Sequence, residues 1–171
     1  MKKLLCLSVS LILIFAACKK SNSNPSSNTP YGISAKINGT LTSFGANVTI
    51  DTTGDEVDII GSVDSLGGYP GLNLFISENG PLKAGIYPNQ AFVDPMTPSS
   101  YLNYYTTAGG GSFNTVTYAS TDDTITVTSV TSKAIAGTFH GTVVNHYFDT
   151  NTDTFKDSTI TVTDGTFNVN F

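Results

Sequence analysis

The chain has 171 residues, eight lysines, no arginine and thirteen acidic residues, for a net charge of −5. From Tyr31 onward four lysines face all thirteen acids, a net −9, which excludes a nucleic-acid partner because phosphate contacts need a basic surface. Both cysteines, Cys6 and Cys18, lie before Tyr31, so the part large enough to fold has no disulfide, no thiolate metal site and no cysteine nucleophile.

Lys2 and Lys3 precede a nearly continuous apolar run from Leu4 to Phe15. Its length suits the core of a signal peptide and is too short to span a bilayer. Ala16 and Ala17 are the small residues that a signal peptidase accepts before its cut, and Cys18 follows them directly. Phe15-Ala16-Ala17-Cys18 resembles the lipobox of bacterial lipoproteins, with Phe15 where that pattern usually has leucine. The resemblance implies that residues 1–17 are removed as a lipoprotein signal peptide. It also implies that the Cys18 thiol takes a diacylglyceryl group and that the new amino terminus is acylated. At about 0.8 kcal/mol per buried methylene, several chains on one residue make a lasting membrane anchor. Residues 18–30 then form the lipidated cysteine and a tether rich in Ser and Asn, with Pro25 and Pro30. Twelve flexible residues span roughly 20 Å. Lys19 and Lys20 suit an anionic headgroup surface. The expected location is the cell envelope, lipid-anchored at the outer membrane on either of its faces.

Residues 31–171 read as one all-β domain. Thr, Val, Ile and aromatic residues, which fit pleated strands, dominate, and no long helix-type pattern occurs. The first hairpin is "ISAKINGTLTSF", turning at Asn38-Gly39 with Ile33, Ala35 and Ile37 on one face. A two-residue loop adds Phe44 to that face but sends Leu41 to the side of Lys36, so either a bulge intervenes or the edge is partly covered. Val48 and Ile50 mark the next strand. Val57, Ile59 and Val63 mark another, after a turn at Gly54-Asp55. Leu72, Leu74 and Ile76 precede the turn at Asn79-Gly80-Pro81, and Leu82, Ala84 and Ile86 follow it as a further strand. Phe113, then Val116 and Tyr118, then Ile125 and Val127 continue the series, with the pair Asp122-Asp123 opening a turn. Ile135, Phe139 and Val143 share a long strand in which Gly137 and Gly141 invite a close approach. The last stretch, "STITVTDGTFNVNF", alternates strictly around Asp164-Gly165. It predicts a hairpin with Ile160, Val162, Phe167, Val169 and Phe171 on its inner face. Many short strands with frequent turns predict a single antiparallel β-sandwich, immunoglobulin-like or jelly-roll-like.

The lipobox, the tether, "SAKINGT" at 34–40, "AGTFHGTV" at 136–143 and "ITVTDGTFNV" at 160–169 resemble an uncharacterised family of small β-sandwich envelope lipoproteins from Bacteroidota. The resemblance implies a membrane-anchored sandwich and supplies no catalytic residue.

Candidates for chemistry are few. His140 is expected to face solvent and His146 to sit in a connection, with no spacing that selects a triad or a metal site. "DTNTDTFKDS" places oxygens of Asp149, Asn151, Asp153 and Asp157 at the alternating spacing of calcium loops. It lacks the glycine and glutamate of an EF-hand, so it reads first as a polar hairpin loop and second as a weak calcium site. The segment Gly85–Thr107 carries Tyr101, Tyr104 and Tyr105, of which Tyr101 and Tyr105 share a strand face and Tyr104 takes the other. Exposed tyrosines stack on sugar rings or anchor a protein partner. The sequence therefore predicts a non-catalytic, lipid-anchored binding module without a cofactor, contacting a glycan or an envelope protein. A purely structural envelope component and a carboxylate-based hydrolase are the alternatives.

Overall fold

Period-two alternation produces ten strands and no helix among the described residues. They are β1 (Gly32–Ile37), β2 (Thr40–Ser43), β3 (Asn47–Thr53), β4 (Glu56–Ser62), β5 (Gly71–Ser77), β6 (Gly85–Pro88), β7 (Ser99–Thr107), β8 (Thr115–Val130), β9 (Ala134–Asp149) and β10 (Thr154–Asn170). The structure is a computed structural model, and it describes residues 31–45, 47–53, 55–64, 68–89, 97–107 and 115–171. The signal peptide, Cys18, the tether, Gly54, Phe113 and residues 90–96 of the tyrosine-bearing segment lie outside the described residues.

The protein is all-β and antiparallel. One sheet follows the order β2-β1-β10-β9-β8-β7-β5-β4-β3, with β6 paired to β8 off this path. β2 and β3 close the two ends of the path, yet only residues 44–46 separate them in the chain. The sheet therefore curls until its ends approach. Gly45 bridges to Ser62 of β4, and the Phe44 amide donates to the Ile33 carbonyl at 2.8 Å. A Cβ on Gly61 of β4 would stand 2.6 Å from the Phe44 carbonyl oxygen and 2.8 Å from Ile33 Cδ1. Inside the curl Ile33, Phe44, Ile59, Leu74, Leu102, Ile125, Ile135, Val143, Val162 and Phe167 form the buried core with their neighbours.

The Asn38-Gly39 hairpin stands as expected. Both residues have positive φ, 47° and 82°, and Ile37 pairs with Thr40. No bulge interrupts this pairing: Leu41 lies opposite Lys36 and is exposed on the outer face of the edge.

The Asp164-Gly165 turn does not form. β10 continues through it, paired to β9 from Thr154 to Asn170 with one register shift between Val162 and Gly165. β1 shows the same shift between Ser34 and Lys36. Asp164 is the extra residue, at φ 50°, and its carboxylate meets Lys36 Nζ at 2.7 Å. A bulge changes the phase of a strand just as a two-residue turn does, so Ile160, Val162, Phe167 and Val169 still point inward. Phe171, expected among them, lies past the strand end and is exposed.

Three further expectations are corrected. Asp122-Asp123 opens no turn; both residues lie within the sixteen-residue β8, next to a register shift. Residues 82–84 form no strand, and in β6 Tyr87 points inward while Ile86 is 69% exposed. His146 belongs to β9 rather than to a connection, opposite Asp157 of β10. Gly137 and Gly141 take the close approaches expected of them, against the Phe167 ring and the Asp122–Asp123 backbone of β8 respectively.

Candidate functional site

Strand phase decides which tyrosines meet solvent. Val57 and Ile59 on β4, Leu72, Leu74 and Ile76 on β5, and Leu102 and Tyr104 on β7 are buried. The alternate residues of the same strands therefore form the outer face. Tyr104 is thus a core residue, with its ring 6.3 Å from Phe44 and 6.1 Å from Tyr118. Burial pushes its phenol pKa up. Tyr101 and Tyr105 stand on the outer face, as their spacing predicts.

Register places the outer residues in rows. Asp51, Asp58, Phe75 and Tyr101 form one row across β3, β4, β5 and β7. Ile60, Asn73 and Asn103 form the next on one side, and Glu56, Ser77 and Ser99 on the other. At strand and row spacings of about 4.8 and 6.8 Å, the patch is roughly 14 Å square. In its middle row, on β5 and β7, the Phe75 and Tyr101 rings stack with centroids 4.4 Å apart and an interplanar angle of 13°. Tyr101 nevertheless remains 38% exposed. Burial, then the charge of Asp58, the neighbouring Tyr105 and the charge of Glu56 hold its phenol pKa above the ordinary value of 10.0. Beside the pair, Asp58 Oδ1 and Asn73 Oδ1 are buried without a hydrogen-bond partner, and Asn73 as a residue is only 8% exposed. Phe75 is the residue that the sequence reading passed over. The inward set Leu72, Leu74 and Ile76 already implied its outward direction.

The residues of the expected calcium loop are not gathered. Asp149 Oδ1 accepts from the Asn151 amide at 2.9 Å, and its other oxygen pairs with Lys156. The hydrogen bond from Lys156, then that from Asn151, holds the Asp149 carboxyl below the usual range. Asp153 occupies the turn at φ 53°. Asp157 meets His146 Nδ1 at 2.6 Å across the strands. Among the described residues no group of three or more His, Cys, Asp or Glu side chains is placed to hold a metal ion. His140 is exposed on β9, six residues from His146, roughly 20 Å along the strand.

Two buried polar clusters were not foreseen, and both lock strands together. Asp123, 2% exposed, accepts from Ser100 Oγ at 2.7 Å and from Asn89 Nδ2. This ties β8 to β7 and to the end of β6. Glu78 accepts from the Tyr87 hydroxyl at 2.8 Å and from Lys83 Nζ at 3.0 Å. Burial pushes the Glu78 carboxyl up, but the hydrogen bonds from Tyr87 and Lys83 outweigh it and hold the group below its ordinary value. Burial and the Glu78 hydrogen bond push the Tyr87 phenol up to about 12. Neither cluster brings together a nucleophile, a base and an orienting group.

A second exposed aromatic group sits at the far end of β9 and β10. Phe148 and Phe155 face each other there at 5.2 Å, beyond the last residues that β8 and β1 pair with. Comparison with protein-family models, curated proteins and solved structures returns no match.

Proposed function

We propose that the chain is a membrane-anchored, non-catalytic binding module of the cell envelope, and that it contacts a glycan or envelope protein through the outer face of β4, β5 and β7. The observation that carries this reading is the Phe75–Tyr101 stack, held in register on the solvent side of the sheet. Aromatic residues fixed on strands give a large contact area at a low cost in conformational entropy. Polar side chains at Asp58, Asn73 and Asn103 surround the pair and supply directional hydrogen bonds. The lipobox resemblance at Cys18 supports the anchor.

A ligand that binds only the folded state raises the melting temperature by mass action. The test is a thermal-shift series on the full chain with glycan fragments and purified envelope proteins, repeated on Tyr101→Ser and Phe155→Ser. The expected result is a ligand-dependent shift that Tyr101→Ser abolishes and Phe155→Ser preserves. Equal shifts in both variants, or no shift with any ligand, would overturn the reading.

A further inference from the structure

We propose that the group seated on the Phe75–Tyr101 face is a cation, a lysine or arginine side chain on a basic segment of a protein partner. The inference rests on reading that face as a contact surface, and it adds the chemistry of the partner.

Charge is the first argument. The patch presents Asp51, Glu56 and Asp58 on β3 and β4, on the Phe75 side of the aromatic pair, with Asp51 and Asp58 directly opposite each other. Like charges opposed across a strand pair work against the sheet. No lysine is carried by β3, β4, β5 or β7, and the chain has no arginine. Lys36, Lys83 and Lys156 are engaged with Asp164, Glu78 and Asp149, and Lys133 lies between β8 and β9. Among the described residues the face therefore has the sign that attracts a cation, and its strands carry no lysine.

Unmet hydrogen bonding is the second and independent argument. Asp58 Oδ1 and Asn73 Oδ1 both lack a donor. They stand on neighbouring rows of the same face, and Asn73 is more than nine-tenths buried. A buried acceptor without a donor is costly, and a partner's donor removes that cost. A guanidinium offers five donors in a plane and an ammonium three, with no acceptor in either. Arginine also lies well against aromatic rings.

A guanidinium, with five donors in a plane, suits Asp58 Oδ1 and Asn73 Oδ1 better than the single ammonium of an amine-bearing sugar. Phe75 and Tyr101 cover each other at 4.4 Å, so the ring faces turned toward each other are closed to a pyranose. A guanidinium beside Asp58 needs only a ring face turned away from the stack, because the ring face, not its edge, attracts a cation.

The probe is an acetylated, amidated tetra-arginine peptide titrated into the full chain by calorimetry, beside a tetra-citrulline peptide of the same shape without charge. Binding of the arginine peptide is expected, with citrulline weaker by about tenfold or more. Affinity should fall as salt is raised. Asp58→Asn should weaken the arginine peptide by about tenfold, whereas Asp153→Asn, which removes one charge from the β9–β10 turn, should leave it unchanged. Asp58→Asn relieves the opposition with Asp51, so the variant should melt no lower than the parent. Equal losses in the two variants would reduce the effect to the net field and overturn the proposal. Equal binding of citrulline would overturn it as well, as would absence of arginine binding. Where an uncharged oligosaccharide then shifts the melting temperature in a Tyr101-dependent way, the contact face stands and only its cationic partner falls. Where nothing depends on Tyr101, both readings fall.

Discussion

A Cβ built on Gly165 would stand 2.5 Å from both Cδ2 and the carbonyl oxygen of Phe139. The carbonyl belongs to a paired strand, and the Phe139 ring packs against Phe167 with centroids 6.4 Å apart, so neither can retreat far. Gly165→Ala is expected to cost about 1–3 kcal/mol, seen as a lower urea midpoint at unchanged slope. Gly39→Ala is the contrast. Its φ of 82° has open space around it, so only backbone strain of about 1 kcal/mol is at stake. Equal losses at the two sites would undo the packing argument. Glu78 gives a second prediction at this scale. Its folded carboxyl lies below the ordinary value of 4.5, so its contribution is complete above pH 4.5 and is lost as pH falls through the folded value. Melting temperature against pH should therefore drop more steeply on the acid side for the parent than for Glu78→Gln. The variant should be less stable by about 1–3 kcal/mol at neutral pH. Parallel acid limbs would remove Glu78 from the account. The inward direction of Val162 and Phe167 was legible in the sequence, because period-two alternation reports the face directly. The choice between a turn and a bulge at Asp164-Gly165 was not, because both reverse the phase. The Phe139 backbone that settles it lies on another strand.

At the scale of elements, two adjacent aspartates read as a turn because a charged strand interior is normally too costly. β8 runs through them because their directions differ. Asp122 is exposed, while Asp123 turns in and receives Ser100 and Asn89. Nothing near Asp123 in the sequence announces partners 23 and 34 residues away. Asp123→Ala leaves those donors without their acceptor and should cost about 1–3 kcal/mol. Hydrogen exchange should accelerate in 87–89 and 99–102 more than in β10, whereas uniform acceleration would mean that the cluster is no local lock. The far end of the β9–β10 hairpin behaves oppositely. Its turn at 150–153 was legible from polar composition. Phe155 is 81% exposed there, so Phe155→Ala should change stability by no more than about 0.5 kcal/mol. A larger loss would show that the Phe148–Phe155 contact holds the hairpin together. The outer face of β4, β5 and β7 was read in the sequence through Tyr101 and Tyr105, although alternation around Leu74 also implied Phe75. Its acids and asparagines come from strands whose neighbours in the sheet are set by topology, not by proximity in the chain.

At the scale of the molecule, the curl joins segments that the sheet order holds far apart. β1 is second from one end of the path and β4 second from the other, yet Gly61 of β4 lies against Phe44 and Ile33. Sheet ends left open would present unpaired backbone to other chains, and bringing the two together restricts that exposure. The approach depends on small residues. A Cβ on Gly32 would stand 3.0 Å from Gly45 Cα, and one on Gly61 would press on the Phe44 carbonyl. Gly61→Ala should therefore force the ends apart as well as disturb its own strand. The measurement is amide hydrogen exchange followed segment by segment in the parent and the variant. Loss of protection is expected together in β1–β2 and in β3–β4, while β8 and β9 in the middle of the path keep theirs. Loss confined to β3–β4 would mean that the ends of the sheet do not support each other. The paired loss would show that closure of the curl, and not strand pairing alone, sets the stability of the edges.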